Sequence, residues 1–226
     1  MLKQFHPFKQ NNAPQQSDNK EKVHDPLDVR SLLTDNTRKA MITPDGELKI
    51  KDEQGAPTGQ GVELMKERYW GVATATGYQA LLDKQLALET RAMRSSFPAF
   101  ELRRTQEPLR QHGWLVAEVG SIFWTGALKT HSGRSYLIAM VYPKDYPFGE
   151  MKAYVLEPYL PTTEHRFKDG HLCLYDHGGK GGGFEREKTT AVTVIAWTAA
   201  WLHAYEIWQK TGNWPSVSHH TEEVKA

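Results

Sequence analysis

Apolar positions along the 226-residue chain follow two different periods, with long polar stretches between them. From Tyr78 onward, Leu82, Leu86, Thr90, Met93 and Phe97 recur at helical spacing with Lys84, Arg91 and Arg94 between them, which predicts an amphipathic helix ended near Pro98. The period then shortens. Phe100-Glu101-Leu102, Trp114-Leu115-Val116, Ile122-Phe123-Trp124, Tyr136 to Val141 and Ala153 to Leu156 are β-type runs, separated by turn signals such as His131-Ser132-Gly133. A four-stranded antiparallel meander is their simplest assembly. Helical spacing returns near the C-terminus, where Ile195, Ala199, Leu202 and Tyr205 share a face that Trp197, Trp201 and Trp208 widen. Thr189 or Thr190 can cap its start, and Gly212 after Lys210 is a stop signal. Helix, meander, irregular stretch and aromatic helix in that order make an α+β layout.

The segments before Tyr78 are of another character. Residues 1–25 are rich in Asn, Gln, Lys and Pro and offer little to bury, so they are expected to be flexible. Residues 26–75 read as an extension: Met41-Ile42 and Leu48-Lys49-Ile50 flank Pro44-Asp45-Gly46, which predicts a small hairpin packed on the main domain at 76–226. With Lys+Arg 28 against Asp+Glu 27, no global field draws the chain to nucleic acid or an anionic membrane. No run reaches transmembrane length and no signal-like segment opens the chain, so a soluble cytoplasmic protein is expected.

Cys173 is the single cysteine, which excludes an internal disulfide, a paired-cysteine redox motif and a multi-cysteine zinc site. The ten histidines form no paired-ligand motif, so no metal site is expected. On base rates a lone cysteine is more often a small buried hydrophobe than a nucleophile, and its surroundings must decide. Two motifs stand around it, in order: Tyr142-Pro143-Lys144-Asp145-Tyr146-Pro147-Phe148 after the third strand, and Gly170-His171-Leu172-Cys173-Leu174 after the fourth. Over about residues 78–215 the chain thereby resembles the ubiquitin-conjugating enzymes, whose catalytic cysteine sits in a Gly, any residue, aliphatic, Cys, Leu sequence. The C-terminal text from Trp201 to Trp208 and then Thr211-Gly212-Asn213-Trp214-Pro215 is similar to the bacterial relatives. Those are encoded beside activating-enzyme-like proteins, often in antiviral defence clusters. As physical objects the tryptophans read as core.

The resemblance implies the ubiquitin-conjugating fold for the main domain, beside the N-terminal extension read above, and two acyl transfers that require no metal or organic cofactor. The Cys173 thiolate would take a ubiquitin-like modifier from an activating-enzyme-like protein, and an amine of an unknown acceptor protein would attack the resulting thioester; a thiol is both a competent nucleophile and a good leaving group. The family's His-Pro-Asn tripeptide is missing. His165 falls eight residues before Cys173, where that Asn would stand, and is either a substitute oxyanion donor or an exposed loop histidine. Asp176 is either a group that orients or deprotonates the amine or a surface turn acid. Gly181, Gly182 and Gly183 either let the modifier's slim tail approach or form a linker, and they lack the ending of a phosphate-binding loop. Lys84, Arg91 and Arg94 lie on the helix that docks the activating enzyme in the family, or are simply a solvated face. Two rival functions stand beside this one. One is a scaffold of the same fold without chemistry, and the other is an unrelated cysteine hydrolase with His165, His171 or His203 as base.

Overall fold

The computed structural model describes residues 40–50, 61–62, 78–146, 149–161, 163, 165–174 and 189–215. The expected flexible segment 1–25, most of the extension, Pro147, Phe148, Asp176 and Gly181 to Gly183 lie outside them. The elements are β1 (Ala40–Ile42), β2 (Leu48–Ile50), α1 (Tyr78–Ser96), β3 (Glu101–Arg104), β4 (Leu109–Gln111), β5 (Trp114–Ala117), β6 (Ile122–Lys129), β7 (Ser135–Val141), β8 (Lys152–Glu157) and α2 (Ala191–Thr211). Helices and antiparallel strands are segregated along the chain, as the α+β reading expects.

β1 and β2 form the expected hairpin, Ala40 facing Ile50 and Ile42 facing Leu48. The Gly46 N–H donates to the Thr43 carbonyl at 2.8 Å, and Gly46 sits at φ +84°, a conformation glycine adopts without a Cβ penalty. Ile42 and Leu48 are almost wholly buried in the main core, so this part of the extension contributes packing to the domain.

The main sheet runs β3-β6-β7-β8, all antiparallel. These are the four strands of the expected meander, and the fifth β-type run, Trp114-Leu115-Val116, is not among them. It forms β5 and pairs with β4 in a separate hairpin inserted between β3 and β6. The reason lies in the alternation of the sheet itself. Trp124, Tyr136, Ile138, Met140, Ala153 and Val155 point to the helices, but Phe123, Ala139, Val141, Tyr154 and Leu156 are buried as well, on the opposite face. Val116, Ala117 and Leu109 of the inserted hairpin cover that second face. β3 remains an edge strand with all four side chains exposed, guarded by charge in the Arg103–Glu101 pair and Arg104.

α2 is buried on nearly every side from Ala191 to Glu206, as its apolar composition demands. The Thr190 side chain caps its start, accepting from the Thr193 N–H, and Gly212 closes it at φ +73° with its N–H on the Trp208 carbonyl. Met93 of α1 and Phe97 just past its end pack into the core, while Thr90 is only half-buried. An acid is buried beside them. Glu89 is 1 % exposed and accepts hydrogen bonds from the Tyr142 hydroxyl (2.7 Å), the Tyr146 hydroxyl and the Ala191 N–H (2.9 Å). A second buried acid, Glu206, accepts from Thr130 (2.7 Å), Ser132 (3.0 Å) and Tyr136 (2.9 Å), tying α2 to the β6–β7 turn.

Candidate functional site

Cys173 hangs from the edge of the sheet. The Leu172 N–H donates to the Ala153 carbonyl on β8 at 2.8 Å, and Leu172 and Leu174 are both buried in the main core. The cysteine between them is partly exposed and in no disulfide. A residue flanked by two anchored neighbours is thus held at the surface without being free to swing.

The chain leading to Cys173 folds back on itself. The Cys173 N–H donates to the His165 carbonyl (3.0 Å) and the Phe167 N–H to the His171 carbonyl (2.9 Å), with Arg166 opposite Leu172 as an antiparallel bridge. The turn closes through the Gly170 N–H to the Phe167 carbonyl. Gly170 is at φ +90°, and a Cβ there would fall on the Trp114 indole, so both the dihedral and the close approach demand glycine. That accounts for the glycine three residues before the cysteine.

The pleat of this small hairpin sets which side chains meet. Arg166 and Leu172 share one face, whereas His165, Cys173, Phe167 and His171 share the other. Directly opposed residues place their Cβ atoms roughly 4.5–5.5 Å apart, so the eight-residue spacing of His165 and Cys173 becomes a cross-strand pair. His165 is 8 % exposed, not a solvent-exposed loop residue. Its ring stacks on Trp214 at 4.0 Å, its N–H donates to Thr163 Oγ1 (2.9 Å), and its carbonyl also accepts from Trp201 Nε1 (3.1 Å). The tryptophans read from sequence as core therefore brace the cysteine hairpin too.

A charged chain lies on the same hairpin. Lys152 Nζ on β8 donates to Asp169 Oδ2 at 2.8 Å, and the other Asp169 oxygen meets His171 Nδ1. Burial pushes the Asp169 carboxyl up, but the hydrogen bonds from Lys152 and His171 outweigh it and hold it below the usual carboxylate range. Phe167 stacks on the His171 ring at 4.2 Å. On the bridge's other face the Arg166 guanidinium sits over Trp114 at 4.4 Å and donates to the Leu160 carbonyl (3.1 Å); burial lowers its pKa. His203 lies elsewhere, with Glu206, His131 and Lys210 as its charged neighbours; burial lowers its pKa. Lys84, Arg91 and Arg94 are exposed on α1.

Sequence reasoning passed over Thr163, Asp169, Lys152 and the bracing role of Trp201 and Trp214. Only Asp169, two residues before a histidine in the cysteine motif, left a local signal. Among the described residues, no group of three or more His, Cys, Asp or Glu could hold a metal ion, and no helix is long and apolar enough to cross a membrane.

Comparison with curated proteins and with solved structures found no match. A family model does match, over residues 89–221, and its description is Type II CBASS E2 protein. The match takes in the acid of α1, both tyrosine motif positions, the cysteine hairpin and all of α2. Spanning more than half of the chain, it settles the family: this is an E2-like bacterial protein and belongs to the Type II CBASS E2 proteins.

Proposed function

We propose that Cys173 carries a ubiquitin-like modifier as a thioester, received from an activating-enzyme-like protein and passed to an amine, within a CBASS antiphage conjugation pathway of the bacterial cytoplasm. Membership of the E2 family of that system supports the pathway and the two partners. The observation that carries the chemistry is the placement of Cys173, a partly exposed cysteine fixed between two core-anchored leucines. In the first transfer the Cys173 thiolate attacks the modifier's carbonyl, a new C–S bond forms and the activating enzyme's sulfur leaves as a thiolate. In the second the amine nitrogen attacks, the C–N bond forms, the nitrogen loses a proton, and Cys173 sulfur leaves. With activating enzyme, ATP and modifier, the protein is expected to form an adduct that survives a non-reducing gel and disappears with reductant. Stable binding of modifier without that adduct would replace this reading by a scaffold.

His165 is the proposed oxyanion donor, because the hairpin sets it across from Cys173. In single-turnover discharge of pre-charged protein to free lysine, His165→Ala is expected to cost roughly 2.7–4 kcal/mol of transition-state stabilisation, the worth of one such donor. His165→Asn should recover part of it. Discharge by the alanine variant within about twofold of wild type would leave the oxyanion to backbone N–H groups.

Gly181, Gly182 and Gly183 are proposed as the approach for the modifier's tail, and Lys84, Arg91 and Arg94 as a docking face for the activating enzyme. Asp176 remains proposed as a group that orients the amine. Changing the three glycines to alanine should slow charging while leaving the melting temperature nearly unchanged. Charging at the wild-type rate would make the stretch a linker.

A further inference from the structure

From the Asp169–His171 pair beside Cys173 we infer that His171 is the general base that takes the proton from the attacking amine during discharge; this rests on the thioester reading above. His171 and Cys173 are two residues apart on one strand of the cysteine hairpin, and so on the same face. At about 3.3 Å of rise per residue their Cα atoms are roughly 6.6 Å apart, which leaves room for an amine nitrogen between imidazole and thioester carbon.

The ring's chemistry is set by what meets Nδ1. Asp169 accepts there, so Nδ1 carries the proton and Nε2 is the basic nitrogen of the neutral ring. Lys152 holds the second carboxylate oxygen, and Phe167 stacked at 4.2 Å fixes the plane of the imidazole. The histidine side chain is 15 % exposed, partly screened yet reachable from the surface. Of the titratable groups near it, Asp169 on its own hairpin and Tyr154 on β8 meet the ring, Lys152 stands behind Asp169, and Cys173 is two residues along the strand. Burial and then the Asp169 charge push the Tyr154 phenol up, so it is no base at working pH. Lys152 is engaged as the donor to Asp169.

The step balances without a further reactant. The amine lone pair forms the C–N bond, the thioester C–S bond breaks, His171 Nε2 takes the nitrogen's proton, and Cys173 departs as thiolate. Asp169 is a positioning residue, because it acts through the ring. At neutral pH lysine is held as an ammonium of pKa about 10.4 and sheds two protons on the way to the amide, whereas hydroxylamine starts neutral and sheds one, so the lysine reaction depends more on a base.

The test is single-turnover discharge of modifier-charged protein to free lysine and, separately, to hydroxylamine, across pH. Relative to wild type, His171→Gln is expected to slow the lysine reaction by about 10²–10⁴-fold, and to remove the pH inflection that the imidazole contributes. Hydroxylamine discharge should change only a few-fold. Asp169→Asn should slow lysine discharge less and move the inflection to lower pH, because the neutral amide no longer favours the imidazolium. Lysine discharge by His171→Gln at the wild-type rate with the inflection kept would overturn the proposal, as would equal slowing with hydroxylamine or loss of the inflection only in Asp176→Asn. Wild-type protein that never charges would overturn the thioester reading itself, and is distinguishable because it precedes discharge.

Discussion

Cys173→Ala is expected to yield no modifier adduct under conditions that charge the wild type fully, and Cys173→Ser at most a slow, reductant-resistant ester. The chain has no other thiol, so no second sulfur can stand in. A thiol of ordinary pKa near 8.5 is ionised to a few per cent at neutral pH and is strongly nucleophilic in that form, whereas a serine hydroxyl without an adjacent base is not. The oxyester that does form lacks the thiolate leaving group and should resist both reductant and lysine. Loss of fold is a poor alternative explanation for a negative result. The cysteine is partly exposed, and the hairpin is held by Leu172, Leu174 and backbone hydrogen bonds that an alanine at position 173 leaves in place. Circular dichroism of the two variants should therefore match the wild type. An undiminished, reductant-sensitive adduct on the alanine variant would end the proposal.

Where local chemistry decides structure, the sequence was readable. Thr190 and Gly212 mark the ends of α2 because capping depends on one side chain and one dihedral, and Pro44-Asp45-Gly46 marks the β1–β2 turn for the same reason. The β4–β5 hairpin was not readable. Its turn places His112 at φ +51° and Gly113 at φ +87°, the two positive values a tight hairpin turn requires, but with histidine where asparagine or aspartate would have signalled it. The Trp114 run therefore read as a β-type run without its partner strand. At the candidate site, the Gly170 to Leu174 motif singled out Cys173, and counting back eight residues singled out His165. What braces them was hidden. Trp201 and Trp214 reach His165 from 36 and 49 positions along the chain, and a contact of that separation leaves no local pattern.

The acid of α1 is the clearest case of a signal that was present and passed over. Glu89 stands three residues after Leu86 and four before Met93, on the apolar stripe itself, where a carboxylate is costly unless several donors meet it. They do. Tyr142 and Tyr146, two aromatic positions of the motif after β7, donate to it, and so does the Ala191 N–H, one of the donors that a helix start leaves unsatisfied. The negative charge also lies at the positive end of the α2 dipole. Burial first, and then the Glu89 charge, push the Tyr142 phenol up, so it stays a donor at any working pH. Glu89→Ala removes one acceptor group and strands three buried donors, each costing about 1–3 kcal/mol when left unmet, with partial relief as the site relaxes. The expected loss is about 3–5 kcal/mol of unfolding free energy in urea, which for a chain of this size lowers the melting temperature by roughly 6–20 °C. Glu89→Gln keeps the shape and one acceptor oxygen, and should lose less than half as much. A loss below about 1 kcal/mol for the alanine variant would mean that water replaces the carboxylate, and that the two tyrosines are held by packing alone.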